Sequence, residues 1–168
     1  MTLEKIKLNH LKSSFSPIAD EDIEILILGT MPSDASLAKK EYYGHPRNRF
    51  WKLIAEITKT HLPQTYEDKK ALLLKHRIGI WDIAQKAERK GSLDSAIKEV
   101  IPNDIDFFLK THPLIHTICF NGVFAQKLHD QYFIQKKEIL YLLLPSSSPA
   151  NAAISAEELS ASWQRMIN

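Results

Sequence analysis

Four runs of apolar residues in this chain show almost no alternation: EILILG (24–29), IGIWDI (78–83), IHTICF (115–120) and EILYLLL (138–144). A strand with one wet face alternates apolar and polar side chains, whereas a strand covered on both faces reads as a continuous apolar run. Four such strands need helices above and below them, and segments of helical period fill the intervals. In RNRFWKLIAEITK, Phe50, Leu53, Ile54 and Ile57 fall on one helical stripe. TYEDKKALLLKH opens with Thr65 three residues ahead of Asp68, the spacing of a capping box. NDIDFFLKTH and NGVFAQKLHDQY supply two more helices, and S-A-E-E from Ser155 opens a last one reaching Trp163 and Met166. The order is strand, helices, strand, helices, strand, helix, strand, helix. It predicts an α/β fold, a three-layer αβα sandwich around a four-stranded, mostly parallel sheet. No repeat or low-complexity linker divides the 168 residues, so one domain over 1–168 is expected.

Charge and cysteine usage narrow the chemistry. The net charge is only +2, so binding to nucleic acid would depend on local basic patches, not on a global field. The single Cys119 excludes an internal disulfide and a four-cysteine metal cluster; inside IHTICF it reads as a packed core thiol. His112 and His116 are four apart, but Pro113 between them disfavours the helix that a metal-binding pair of that spacing needs. No metal is expected. MTLEKIKLNHLKSS has no apolar leader core, and no run approaches the ~18 apolar residues of a membrane span. The expectation is a cytoplasmic monomer without membrane partners, nucleoid-associated if the source is prokaryotic.

In open α/β sheets, ligands bind beyond the carboxyl ends of the strands. Here those ends lead into GTMPSDASLAKKEYYGHPRN, AQKAERKGSLDS, NGVFAQK and PSSSPANAAIS, which hold the polar and aromatic residues without an obvious packing task. GTMPS is neither a Walker loop nor G-x-G-x-x-G, so a nucleotide cofactor gains little support; a plain strand exit would also account for it. With its continuation to Asn48 the loop runs about 18 residues, far beyond the usual connection of this kind. Within it, Tyr42 and Tyr43 stand beside Gly44 and near Lys39, Lys40, Arg47 and Arg49. Rings beside cations suit a stacked base with adjacent phosphates, although loop tyrosines also serve as rim packing. Asn48 either caps the following helix or positions a water there. Asp82, ending an apolar strand, either caps a turn or accepts a ligand N–H. PSSSPANA contains no G-x-S-x-G elbow and reads as a turn-rich linker or as a rigid loop able to enter a DNA groove.

Taken together, LGTMPS, YYGHPRNRFW, GIWDIAQKAERKGSLDSAI, FNGVFA and LPSSSPANA resemble the uracil-DNA glycosylase superfamily, and within it the hypoxanthine-DNA (deoxyinosine) glycosylase branch. The resemblance covers about residues 24–154. It implies an αβα sandwich and a monofunctional glycosylase that removes a flipped, deaminated base from damaged double-stranded DNA without a cofactor. Hypoxanthine is the base implied first; a mismatch-specific uracil or thymine glycosylase, or a non-catalytic DNA-binding module of the same fold, are the alternatives. By position, Asn48 of H-P-x-N-x-F-W matches the catalytic asparagine of the hypoxanthine branch. Met31 stands where the mismatch-specific uracil branch carries asparagine, and Leu144 where His or Asn often precedes the second motif. The resemblance implies that Gly29, Thr30, Met31, Pro32, Ser33, Tyr43, Asp82 and Asn121 bind the base, with Tyr43 stacking on it. It likewise implies DNA contacts from His45, Arg47, Lys90, Pro145, Ser146, Ser147, Ser148, Pro149 and Asn151. Phosphate contacts by Lys39, Lys40, Lys86 and Arg89 are a further expectation from their charge.

Overall fold

A computed structural model describes residues 11–168. The first ten residues of the N-terminal segment, read above as lacking a leader, lie outside the described residues. In chain order the strands are β1 (Lys12–Ser13), β2 (Ile25–Gly29), β3 (Ile78–Asp82), β4 (Ala84–Arg89), β5 (Ile97–Pro102), β6 (Thr117–Asn121) and β7 (Leu140–Leu144). The helices are α1 (Asp34–Lys39), α2 (Phe50–Ile57), α3 (Tyr66–Lys75), α4 (Ile105–Thr111), α5 (Val123–Tyr132) and α6 (Ala156–Gln164).

The four apolar runs form one sheet in the order β3-β2-β6-β7, every pair parallel. Both central strands are buried along their whole length, which is why neither alternates in sequence. Alternation is present in space instead. Ile25 and Ile27 pack with Phe50, Ile54, Leu73 and Trp163 on one face. Leu26 and Leu28 pack with Phe108, Ile118 and Phe120 on the other. Cys119 is fully buried, and burial pushes its thiol up to about 12, as expected of a packing residue. The caps follow the sequence signals: Thr65 accepts from Asp68 N–H and Ser155 from Glu158 N–H. Among the described residues no helix is long and apolar enough to cross a membrane.

Two expectations need correction. The segment AQKAERKGSLDS is not an irregular loop: β4 and β5 pair antiparallel and, with β1, make a separate three-stranded sheet. Register shifts near Lys86 break the period-2 pattern, and the buried positions are Ala84, Ala87 and Arg89. Alanine and a buried arginine give no strand signal by composition. The long connection after β2 is also not all loop, since it contains α1, capped by Ser33 and closed by Lys40 in the left-handed region.

Candidate active site

The carboxyl ends of β2, β3 and β6 meet in a narrow cleft of about 70 Å³. Gly29, the last residue of β2, forms its floor. A Cβ there would lie 2.7 Å from Asp82 Oδ1 and 3.3 Å from the Tyr43 hydroxyl, so the position admits only glycine while those groups stay in place. Parallel register sets Asp82 directly beside Gly29. Asp82 is 3 % exposed and its Oδ2 has no hydrogen-bond partner. Burial, and then the charge of Asp94, raise its carboxyl to about 7, against a smaller downward pull from Arg89. Neither a cap nor a salt bridge explains the side chain. An unpaired buried carboxyl is costly and is kept where something else will bind it.

Adjacent tyrosines take different tasks. Tyr42 is buried, and its hydroxyl reaches the carbonyls of Phe15 and Ser16. Its own carbonyl accepts from Trp51 Nε1 at 2.9 Å, and its N–H donates to the Tyr66 hydroxyl. Those bonds anchor the loop. Tyr43 turns the chain through φ 54°, a conformation that costs a non-glycine residue energy. One face of its ring stacks on the fully buried Phe50, with centroids 3.9 Å apart and planes 20° from parallel. Its hydroxyl is buried without a partner at the cleft floor, and burial followed by the Asp82 charge raises its pKa.

Asn48 stands one residue before the N-cap of α2, Arg49. Its Oδ1 accepts from Phe50 N–H, the first backbone donor of α2, at 2.9 Å. The Nδ2 donor has no acceptor among the described residues, while the residue itself lines the cleft. Asn48 therefore presents an unused amide donor among the described residues, and its oxygen keeps a second lone pair.

The loop after β7 is tied down from inside. Asn121 Nδ2 donates to Ser147 Oγ at 3.0 Å, and Ser147 N–H returns a bond to Asn121 Oδ1 at 2.9 Å. Arg49 donates through Nη1 to the Ile154 carbonyl and through Nη2 to that of Asn151. Asn151 Nδ2 donates to Ser146 O, and Trp163 Nε1 to Pro145 O. Ser147 is fully buried, its carbonyl accepting from Arg49 N–H, so the expected direct DNA contact is corrected: it faces inward and supports its neighbours. Pro145, Ser146, Ser148, Pro149 and Asn151 remain half-buried at the surface of the loop.

The basic residues divide in the same way. Arg47 and Lys90 are exposed and His45 half-exposed, its Nδ1 accepting from Arg47 N–H. Lys40 is exposed at the end of α1, and Lys39 donates to the Gly44 carbonyl. Lys86 lies half-buried in β4. Arg89 overturns its expectation, being 3 % exposed and turned away from solvent onto the carbonyls of Met31 and Pro32. Buried Thr30 and Met31 sit with Pro32 and Ser33 along the cleft wall.

Three cleft residues were missed. Ser36 accepts from Gly44 N–H, Ser92 accepts from Asp34 N–H, and Asp94 accepts from the Thr30 hydroxyl. Nothing local marks them, because Ser92 and Asp94 reach the cleft only through pairing of β4 with β5. A larger groove of about 630 Å³ adjoins the cleft, shares Ser92, Asp94, Ser146 and Ser148 with it, and exposes Leu93 and Phe124. Among the described residues no group of three or more His, Cys, Asp or Glu side chains is gathered as a metal site would require.

Comparison with known proteins places this geometry in a family. A model of the Uracil DNA glycosylase superfamily matches residues 16–167. A protein of Methanosarcina acetivorans named Hypoxanthine DNA glycosylase is 38% identical over 158 residues, covering 94% of this chain and 98% of that protein. A Methanosarcina barkeri protein of the same name is 38% identical over 112 residues, covering 66% of this chain and 71% of its own length. A solution NMR structure from Methanosarcina acetivorans, provisionally described as a uracil DNA glycosylase, superposes with a TM-score of 0.77 at 35% identity and covers 94% of this chain and 99% of that one. With a sheet of the same kind, a cleft at its carboxyl ends and a family match over nearly its whole length, the chain belongs to the uracil-DNA glycosylase superfamily.

Proposed function

We propose that this protein hydrolyses the N-glycosidic bond of hypoxanthine in damaged double-stranded DNA, acting as a single-domain monomer. One observation carries the reading. A ring, an unpartnered carboxyl and a spare amide donor converge on one glycine-floored cleft at the end of the sheet. Two relatives bearing the name Hypoxanthine DNA glycosylase support it.

Cleavage breaks the bond from C1′ to the base, and the electron pair leaves with the base. Water oxygen bonds to C1′, and the proton that water releases neutralises the departing anion. A positive sugar and a negative base therefore develop together. Tyr43, backed by Phe50, offers its remaining face to the flipped base. Ionised Asp82 accepts from the N1–H of hypoxanthine, a donor that adenine lacks. Asn48 holds the attacking water by donating to it through Nδ2, while Oδ1 accepts from Phe50 N–H through one lone pair and has a second for a water proton. Uracil N3–H offers Asp82 a similar edge, which keeps uracil as a second candidate substrate.

Flipping costs a few kcal/mol and less at a mispair, which favours lesions over normal pairs. About 70 Å³ is small beside the ~300 Å³ or more of usual ligand pockets, so the base enters only as the serine-rich rims part. The adjoining groove gives the flanking strand a place to run.

The test is release of free hypoxanthine from an inosine-containing duplex, with alkali-labile abasic sites as the second readout. Asn48→Ala should lower the single-turnover rate by roughly 10²-fold or more. An unchanged rate would remove Asn48 from the mechanism. Tight binding by the wild-type protein with no base released would identify a non-catalytic module instead.

A further inference from the structure

The β4–β5 hairpin carries one buried cation, and all its hydrogen bonds go to backbone carbonyls. The Arg89 side chain is 1% exposed. Its Nε donates to Gly91 O at 3.0 Å, Nη1 to Met31 O at 3.4 Å and Nη2 to Pro32 O. Asp94, from the same hairpin, lies 3.7 Å from Nη1 and accepts the hydroxyl of Thr30. Three consecutive residues leaving β2 are thus held from outside the main sheet: Thr30 through its side chain, Met31 and Pro32 through their carbonyls.

Stability alone is a weak reason for this arrangement, since well-packed apolar residues commonly replace a buried ion pair at no loss. Orientation is a stronger one. In a trans peptide the C=O and N–H point in opposite directions. Turning the Pro32 carbonyl onto Arg89 therefore turns the Ser33 N–H away from Arg89. The preceding peptide has no N–H, because Pro32 supplies its nitrogen. Ser33 lines the cleft, and its N–H meets no acceptor among the described residues. A charged donor on the carbonyl also polarises the peptide and strengthens its N–H.

We propose that Arg89 and Asp94 are positioning residues that aim the Ser33 N–H into the cleft, at the electron-rich edge of the departing base. The chemical role of that N–H rests on the glycosylase reading above; the orientation itself does not. A donor aimed where charge develops is worth roughly 10²-fold in rate, whereas it contributes little to ground-state binding.

The experiment compares Arg89→Met, Arg89→Lys and Asp94→Asn with the wild-type chain. One readout is the single-turnover rate at saturating inosine duplex together with the Kd for that duplex. The other is the amide NMR spectrum, with Leu28 and Ile118 as core reporters. Arg89→Met should lose roughly 10²-fold in rate, change Kd by no more than about threefold, and move the Ser33 amide signal while the core signals stay. Arg89→Lys, which keeps the charge but loses the fork, should recover only part of the rate. Asp94→Asn should fall between them.

A folded Arg89→Met protein with the full rate, or with an unmoved Ser33 amide, overturns the proposal. If Arg89→Met does not fold, the same two readouts on Arg89→Lys and Asp94→Asn decide. If the wild-type protein releases no hypoxanthine, the glycosylase reading fails by itself. The Ser33 signal then still decides the brace, for it when displaced and against it when unmoved.

Discussion

The two ends of the parallel sheet are finished in opposite ways. At the amino end the residues just before three strands, Glu24, Arg77 and His116, meet as surface partners. Arg77 donates to Glu24 Oε1, His116 Nε2 lies 3.7 Å from Glu24 Oε2, and Glu24 N–H donates to the Arg77 carbonyl. At the carboxyl end the corresponding positions are Gly29, Asp82 and Asn121, and here buried polar atoms are left without partners: Asp82 Oδ2 and the Tyr43 hydroxyl. The amino end pairs its charged groups and leaves one buried atom unpartnered, His76 Nε2, beside Arg77. The other leaves two unpartnered groups together in one cleft, at a cost in stability that the rest of the fold absorbs.

The sharpest way to break this contrast is to fill the floor of the cleft. Gly29→Ala places a Cβ 2.7 Å from Asp82 Oδ1 and 3.3 Å from the Tyr43 hydroxyl. Base release should drop by roughly 10²-fold, while the melting temperature changes little because the displaced atoms are side-chain ends. Retained activity would mean that the base does not reach this floor.

Titration of Asp82 gives the next largest effect, with opposite signs for stability and activity. Its ordinary value is 3.8 and burial raises it to about 7. Below pH ~4 both folded and unfolded chains carry the proton; between ~4 and ~7 only the folded chain does. Unfolding free energy should therefore fall as pH rises through that window, by about 4 kcal/mol at most. Base release should do the reverse, rising about tenfold per pH unit below 7 and levelling above it, since the accepting form is ionised. Asp82→Asn should flatten both profiles and stabilise the protein at pH 8. A flat wild-type rate profile would remove Asp82 from base reading.

Salt separates the surface cations from the buried one. Arg47→Ala and Lys90→Ala should each reduce the slope of log affinity for DNA against log salt by about one. Arg89 substitutions should leave that slope unchanged. The smallest effect belongs to the amino end: Arg77→Ala should leave base release untouched and cost only a slight, salt-sensitive loss in melting temperature. A large loss of activity there would show that the two ends are coupled.

Tyr42 and Tyr43 show where sequence reading stops. Both were visible as aromatic residues beside a glycine, yet nothing in YYGHPRNRFW tells which ring anchors and which lines the cleft. That depends on Phe15, Ser16 and Tyr66 receiving one of them and Phe50 backing the other. Asn48 was legible as a polar residue at the start of a helix, but only the fold showed its oxygen on Phe50 N–H and its Nδ2 without an acceptor among the described residues. Ser147 and Arg89 read as DNA-facing because a hydroxyl and a guanidinium usually are; burial against partners distant in sequence reversed both. The β4–β5 hairpin was not legible, because register shifts erased its alternation and alanine carries no strand preference.

By itself, then, the sequence determined the four-stranded parallel sheet, the helices α2 to α6 and the loops after β2, β6 and β7. These follow from the spacing of apolar residues, and burial acts on that spacing whatever the distant partners are. Only the tertiary structure decided which polar groups in those loops face inward, which are satisfied and which are left for a ligand. A hydrogen bond depends on distance and direction between atoms far apart along the chain, and no local pattern encodes either.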